Sequence, residues 1–254
     1  MSDLLTVHDQ MGREVTFSFP PKRIVSLVPS QTELLIDMGA PVVGRTKFCV
    51  HPKEKIKQLP IIGGTKNFRF DAIRELKPDL IIGNKEENYP EGIEELQKEF
   101  PVWMSDIFTL EDAFQMMKDL GRICDLDTRA DQIIQACRNA VESVKGTKSG
   151  KVIYFIWKNP WMVAGKNTFI DHMLAHLGYQ NLVTEERYPE LTAKQIAALN
   201  PDKILFSSEP FPFKKKHLLE VKDLWQNADC ELVDGELYSW YGSRLREWGG
   251  SLNS

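Results

Sequence analysis

The segment Asp127–Lys145 constrains the fold of this chain more than any other stretch. Its apolar residues recur three and four positions apart, at Ala130, Ile133, Ile134, Cys137, Val141 and Val144, and polar or charged residues fill the opposite side. This is the periodicity of an amphipathic helix. The sequence GTKSG that follows, from Gly146 to Gly150, is typical of a helix end. At about 1.5 Å per residue the segment predicts a rod of roughly 28 Å, about the width of a small domain.

The sequence before this helix resembles the sequence after it. Leu76–Asn84 reads LKPDLIIGN, and Leu199–Ser207 reads LNPDKILFS. Short apolar runs alternate with amphipathic stretches on both sides, which is typical of parallel sheets covered by helices. We therefore predict an α/β fold of two Rossmann-like lobes with parallel central sheets, joined by one long helix. The predicted boundaries are 1–126 for the N-terminal lobe, 127–146 for the connecting helix and 147–254 for the C-terminal lobe.

Three local patterns predict individual elements. Leu5–Phe19 has the alternation of a hairpin with a turn at its centre. The sequence Ser30-Gln31-Thr32-Glu33 has the spacing of a capping box and predicts that a helix begins there. Leu218–Gln226 is predicted to be helical.

Composition excludes some classes of function. The net charge is −4, and basic residues are interspersed with acidic ones, which does not fit a nucleic-acid-binding surface. The longest apolar runs are far shorter than the ~20 residues of a membrane span. The first residues, MSDLLTVHDQMGREVTF, lack the basic start, apolar stretch and cleavage site of a signal peptide. The sequence itself therefore predicts a cytoplasmic chain, with a trimmed signal peptide left open.

The loops that follow the predicted strands are the candidate binding region, because ligands of open α/β sheets bind beyond the carboxyl ends of the strands. In the second lobe these loops are rich in aromatic residues: Trp157, Trp161, Phe211, Phe213, Trp240 and Tyr241. Exposed rings in such number predict a flat, apolar ligand. The alternative is that the rings pack on each other and close the lobe.

Catalytic motifs are missing from the sequence. It contains no G-x-S-x-G elbow, no GxxxxGK[ST] loop and no G-x-G-x-x-G after a strand. Gly63-Gly64-Thr65-Lys66 is interpreted as a plain turn. His172 and His176 have the spacing of two metal ligands on one helix but lack a third ligand nearby. We predict no catalytic residue and no bound metal ion, although a free-ion site formed by His51, His172 and His176 stays open as a weaker alternative.

Several motifs together resemble one known family. RIVSLVPSQTELLIDMGAPVVGR, then P-x-x-G-G, then LKPDLIIGNKEEN and one long helix are similar to the vitamin B12 and ferric-siderophore binding proteins of ABC importers. WKNPWM, SSEPFPF and SWYGSR resemble a subgroup described as helical-backbone metal receptors or putative cobalamin-binding proteins. The resemblance implies a receptor that holds a metal chelate in a cleft between lobes, without chemistry.

The resemblance also implies site residues. The first-lobe wall would comprise Pro29, Ser30, Phe48, Lys66, Asn67, Asn84 and Lys85. The second-lobe wall would comprise Trp157, Trp161, Phe211, Trp240, Tyr241 and Arg244. Asp71 stands where members that dock on a permease carry an acidic residue, but the second such position falls near Ser239. Thr65 stands where the B12 binder of the family has a tryptophan.

The function expected from this resemblance is a non-enzymatic receptor for a corrinoid, a ferric siderophore or haem, linked to ABC-type uptake. The expected partners are the chelate and an ABC permease, with no nucleic acid, no cofactor of its own and a monomeric chain. Members of the family are usually periplasmic or lipid-anchored outside the cell. The alternative is a cytosolic enzyme or trafficking protein that acts on a corrinoid or another metal chelate.

Overall fold

The computed structural model describes residues 3–221, 224–225 and 227–250, which form two compact units. The first unit comprises Met1–Ile107, Glu111–Asn139 and Tyr241–Arg246. The second comprises Phe108–Leu110, Ala140–Trp240 and Glu247–Ser254. The short segment from Tyr241 to Arg246 therefore belongs with the first unit, although it lies late in the chain.

The first unit is built on a parallel sheet. Its strands are β1 (Asp3–His8), β2 (Glu14–Phe19), β3 (Ile24–Ser26), β4 (Val42–Arg45), β5 (Gly63–Gly64), β6 (Asn67–Phe68), β7 (Leu80–Asn84) and β8 (Val102–Ser105). Its helices are α1 (Pro29–Met38), α2 (Lys53–Ile56), α3 (Phe70–Leu76), α4 (Pro90–Gln97) and most of α5 (Leu110–Ile123). The main sheet has the order β4-β3-β7-β8, with every neighbouring pair parallel. β1–β2 and β5–β6 are separate antiparallel hairpins.

The second unit contains a mixed sheet with a parallel centre. Its strands are β9 (Lys151–Trp157), β10 (Met162–Val163), β11 (Gln180–Asn181), β12 (Lys203–Ser207) and β13 (Asp229–Val233). Its helices are α7 (Phe169–Leu177), α8 (Ala193–Leu199), α9 (Lys215–Val221) and α10 (Gly235–Ser239), and a 3-10 helix follows over Ser243–Gly249. The order is β10-β9-β12-β13, with β10 antiparallel and β11 joined to β9. The predicted α/β class with parallel central sheets is confirmed.

The long helix α6 spans Asp127–Val144, where the amphipathic pattern predicts it. Its apolar face is buried: Ala130, Ile133, Cys137, Val141 and Val144 are each at most 5% exposed. Its residues up to Asn139 group with the first unit and those from Ala140 onward with the second. The domain boundaries drawn from the sequence stay a prediction.

The two similar sequence segments form the same substructure in the two units. Lys77 after α3 and Asn200 after α8 both end their helix in the left-handed conformation, at φ 45° and 49°. The Asp79 carboxylate then accepts backbone N–H groups at the start of β3, and the Asp202 carboxylate accepts Lys151 N at the start of β9. Each aspartate therefore fixes the beginning of the neighbouring parallel strand.

The local predictions had mixed outcomes. The hairpin over Leu5–Phe19 is present as β1–β2. The capping box at Ser30 is wrong, because α1 already begins at Pro29 and Val28 is an N-cap without a side-chain hydrogen bond. Proline suits the first helical turn, so the helix begins earlier than the box predicts. The helix predicted over Leu218–Gln226 begins earlier, at Lys215; Lys222, Asp223 and Gln226 lie outside the described residues.

Within the described part of the chain, none of the helices has the length and apolarity needed to cross a bilayer.

Candidate functional site

The carboxyl end of β3 brings Pro29 and Ser30 into the first turn of α1. Ser30 is 4% exposed, so its side chain lies in the interior, whereas Pro29 is partly exposed. Gln31, next along the helix, is fully buried and donates through Nε2 to Ser105 Oγ at 2.6 Å. Pro29 is therefore the more accessible of the two predicted residues.

Phe48 lies in the loop after β4 and is half exposed, at 50%. The turn between β5 and β6 approaches it closely: a Cβ atom added at Gly64 would lie 3.2 Å from Phe48 Cε2. Lys47 Nζ lies 4.9 Å from the centroid of the same ring. The structure thus brings Phe48 together with the turn that carries Lys66 and Asn67, both exposed. Glycine at position 64 leaves the space that this ring occupies.

Lys66 reaches from that turn to the loop after β7, where its Nζ donates to Glu86 O at 2.5 Å. In this loop the buried Asn84 side chain accepts from Glu86 N and Glu87 N at 2.9 and 3.0 Å and donates to Ser105 Oγ at 2.9 Å. Asn84 therefore shapes the loop, since both ends of its amide are hydrogen-bonded within the unit. A ligand contact of Asn84 stays a prediction.

Lys85, the neighbour of Asn84, is half exposed and forms an ion pair with Asp106 at 2.6 Å. Lys47, Lys66 and Lys85 all belong to the loops at the carboxyl end of the first sheet. This end of the first unit therefore combines one exposed ring with several basic side chains.

In the second unit, the rings predicted to form a wall divide into two groups. Trp157, at the end of β9, is 39% exposed, and its ring contacts Phe211 edge-on at 5.6 Å between centroids. Trp161 instead packs on the hydrophobic core, with Phe155 at 5.4 Å and Trp225 at 5.6 Å. Phe213 is buried in the same cluster. Phe211 is partly buried and packs against the same cluster, with its ring centroid 4.7 Å from that of Phe213. The alternative of rings that close the lobe therefore applies to Trp161, Phe211 and Phe213, and Trp157 is the exposed ring of these four.

Trp240 is 7% exposed and is held by an acidic residue that the sequence reasoning missed. Its Nε1 donates to Glu209 Oε1 at 2.7 Å, and Ser239 Oγ donates to the same oxygen at 2.8 Å. Burial raises the pKa of Glu209 above its ordinary value, although these two hydrogen bonds oppose the shift. The sequence signal that indicates it is an acidic residue within the aromatic segment SSEPFPF, two residues after the end of β12.

Tyr241 and Arg244, placed in the second-lobe wall by the resemblance, belong to the first unit. The reason is local contact with α1: Arg244 Nε donates to Glu33 Oε2 at 3.1 Å, and Arg244 Nη2 lies 3.0 Å from Glu33 Oε1. Tyr241 is 6% exposed. The pKa of Glu33 is raised because burial outweighs the neighbouring Arg244 charge. A ligand role for Tyr241 and Arg244 stays a prediction.

Asp71 lies in the first turn of α3 on the surface of the first unit. Its side chain is 93% exposed and pairs with Arg74 at 3.0 Å. Arg69, Phe70, Arg74 and Glu75 line an open groove of about 420 Å³ with it. A docking role for Asp71 stays a prediction.

The histidines of the metal alternative have other contacts. His176 Nε2 lies 2.8 Å from Val141 O near the end of α6, where a histidine satisfies a terminal helix carbonyl. Over residues 3–221, 224–225 and 227–250, no group of three or more His, Cys, Asp and Glu side chains is arranged to hold a metal ion. The structure therefore gives His176 a structural contact at the helix end.

Both α/β units carry aromatic side chains beyond the carboxyl ends of their parallel strands, which is where ligands of such sheets bind. This arrangement is typical of a ligand-binding protein. The chain belongs to the periplasmic binding protein family, whose model matches residues 24–229. The family resemblance recognised from the sequence is confirmed. Members of this family are binding proteins.

Relatives and solved structures agree with this assignment. The ABC transporter substrate-binding lipoprotein YvrC of Bacillus subtilis is 25% identical, over 96% of this chain and 82% of the relative. The vitamin B12-binding protein of Salmonella typhimurium is 24% identical, over 81% of this chain and 77% of the relative.

Among solved structures, the periplasmic heme-binding protein RhuT from Roseiflexus sp. RS-1 is similar with a TM-score of 0.79 at 21% identity, covering 91% of this chain and 96% of that chain. The vitamin B12 binding protein BtuF of Vibrio cholerae gives 0.75 at 20% identity, covering 92% and 95%. At these identities the structural likeness establishes the fold.

Proposed function

We propose that this protein is a non-enzymatic receptor for a metal chelate, of the corrinoid, haem or ferric-siderophore class, in an ABC-type uptake system. The observation that carries the proposal is the 39% exposed Trp157 at the end of β9, whose indole contacts the partly buried Phe211 ring edge-on. Ligands of parallel α/β sheets bind at this edge, and a large exposed indole suits a flat macrocycle. The names of the relatives support the chelate class and the transporter.

The first unit offers a second contact of the same kind. Phe48 is half exposed beside Lys47, at the carboxyl end of the first sheet. An exposed ring with a lysine close by suits a ligand that has an apolar face and polar groups at its edge. The wall residues implied by the resemblance and the predicted cleft remain predictions.

We also infer that the protein works outside the cytoplasm with an ABC permease as its partner. The support is the lipoprotein and periplasmic descriptions of the relatives. This inference goes against the cytoplasmic prediction drawn from the first residues. Asp71, exposed at the start of α3, is our candidate contact to the permease.

Titration of the purified protein tests the proposal. Cyanocobalamin, cobinamide, haemin and several ferric siderophores are each titrated, with tryptophan fluorescence and calorimetry as readouts. We expect saturable binding of one class, and a loss of about tenfold in affinity in Trp157→Ala, equivalent to about 1.4 kcal/mol of ring contact.

Leu4→Ala is the matched control, because Leu4 is a 72% exposed apolar side chain on β1, outside the loops that follow the parallel strands. Its affinity should equal that of the unmodified protein. Absence of binding by every chelate would contradict the receptor function. Chemical conversion of a bound chelate would favour the enzyme or trafficking alternative instead.

A further inference from the structure

Glu209, in the loop after β12, joins two segments of the second unit. Its Oε1 accepts hydrogen bonds from Ser239 Oγ and Trp240 Nε1, both at the end of α10. Glu209 itself precedes Phe211 in the loop after β12. The carboxylate therefore fixes the indole of Trp240 relative to the Phe211 loop.

The segment around Gly235 packs closely against Glu209 and the two serines before it. Ser207 Oγ donates to Glu209 O at 2.5 Å, and Gly235 N donates to Ser208 Oγ at 2.9 Å. A Cβ atom at Gly235 would lie 2.6 Å from Glu209 Cγ and 2.3 Å from Ser207 Oγ. Only glycine at position 235 leaves room for the observed position of the Glu209 side chain.

The second carboxylate oxygen of Glu209 has a different environment. Among the residues that the structure describes, no hydrogen bond reaches Glu209 Oε2, and Glu209 is partly exposed rather than fully buried. A carboxylate oxygen in this position accepts a hydrogen bond from an N–H or O–H group and disfavours a second carboxylate. Asp234 and Glu236 add further negative charge from the neighbouring segment.

Resting on the proposed receptor function, we propose that Glu209 is a specificity-determining residue: Oε1 positions Trp240, and Oε2 binds an N–H or O–H donor at the rim of the chelate. The ligand class that this selects is a metal chelate with uncharged amide or hydroxyl groups at its edge, as on a corrin ring. Chelates that present carboxylates there, as haem does with its propionates, are disfavoured.

The test compares the affinities of cyanocobalamin and haemin for the unmodified protein and for Glu209→Gln. Glutamine keeps an acceptor oxygen for Ser239 and Trp240 but removes the negative charge. We expect the ratio of haemin to cyanocobalamin affinity to rise about tenfold in Glu209→Gln, since a like-charge contact is relieved. Glu185→Gln, at an exposed position of the same unit, is the control with an equal change of net charge and should leave the ratio unchanged.

The pH dependence of the affinity ratio gives a second measurement, made on the unmodified protein and on Glu209→Gln. Protonation of Glu209 removes the repulsion, so the haemin to cyanocobalamin ratio should rise more steeply as the pH falls in the unmodified protein than in Glu209→Gln, in which the haem propionates still titrate but position 209 does not. The negative charges of Asp234 and Glu236 raise the pKa of Glu209. The charge of Glu209 in turn raises the pKa of the buried Tyr154 hydroxyl.

The outcomes separate this inference from the proposed function. Saturable binding with an unchanged ratio in Glu209→Gln, or with the same pH dependence of the ratio in both proteins, would overturn the specificity role alone. An equal change in Glu185→Gln would also overturn it, because net charge would then be the cause. No binding by either chelate or by any siderophore would overturn the receptor function and this inference with it.

Discussion

Arg244→Ala should destabilise the first unit by leaving the Glu33 carboxylate buried without its cation. The Glu33 side chain is 7% exposed and that of Arg244 15%, and the two charged groups approach to 3.0 Å. Removing one partner of a buried ion pair typically costs about 3–5 kcal/mol. If the unpaired carboxylate is too unfavourable, Glu33 binds a proton in the folded state. The electrostatic loss of stability therefore cannot exceed the free energy of protonating Glu33, and this limit depends on pH.

The limit follows from the ordinary pKa of a glutamate. Neutralising a carboxyl group with an unfolded pKa of about 4.3 costs about 1.36 kcal/mol per pH unit above that value. The electrostatic loss is therefore at most about 1.6 kcal/mol at pH 5.5 and about 4.4 kcal/mol at pH 7.5. The folded pKa of Glu33 lies above the unfolded one. The contribution of Glu33 to the free energy of unfolding is therefore greatest below the unfolded pKa and is lost as the pH rises through the folded pKa.

Urea unfolding of the full chain at pH 5.5 and pH 7.5 measures this difference. We expect Arg244→Ala to lose about 2 kcal/mol more free energy of unfolding at pH 7.5 than at pH 5.5. In the double variant Glu33→Gln/Arg244→Ala, the pH-dependent part should disappear while the lost packing of the arginine stem remains. Arg246→Ala is the control, because its pair with Asp37 is more exposed, at 39% for the arginine, and should cost about 0–1 kcal/mol.

Two results would refute the reasoning about Glu33. One is a loss in Arg244→Ala that is the same at both pH values. The other is a loss no larger than that of Arg246→Ala, which would mean that the Glu33 carboxylate is solvated without Arg244.

Three further predictions concern the two tryptophans that follow or end β9, the Asn84 loop and the surface of α3. Trp161→Ala should lower the free energy of unfolding by about 3 kcal/mol in urea because its ring packs on the core, whereas Trp157→Ala should cost less than about 1 kcal/mol. Asn84→Ala should cost about 2 kcal/mol in the same assay, since the backbone N–H groups of Glu86 and Glu87 lose their acceptor. Asp71→Lys should leave chelate affinity unchanged but lower chelate-dependent ATP hydrolysis by the permease; a loss of affinity would contradict a docking role.

Much of the fold was predictable because it depends on local rules. The three-and-four spacing from Ala130 to Val144 defines one buried helical face, and the structure has that helix over Asp127–Val144. The repeated Pro-Asp before a strand was visible in the sequence, and both aspartates cap the neighbouring strand. The helix start at Pro29 was misplaced because a capping box and a proline at the first helical position compete, and the sequence does not rank them.

The candidate site was harder to predict because it depends on which side chains the tertiary structure exposes. Trp157 and Trp161 look alike in the sequence, yet one is exposed beside Phe211 and the other packs on Phe155. Their separation depends on the antiparallel return of β10 on β9, a pairing that WKNPWM alone does not encode.

The two acidic residues that matter most were missed for the same reason. Glu33 has its cation 211 positions away in the chain, and Glu209 binds an indole 31 positions away. Periodicity and motif spacing report contacts within a few turns, so they cannot reveal a long-range pair. An acidic residue inside an apolar segment at a strand end is nevertheless a usable signal, because burying it has a cost that a specific partner must offset. Applied to SSEPFPF and to the first helix after β3, that rule selects Glu209 and Glu33 from the sequence alone.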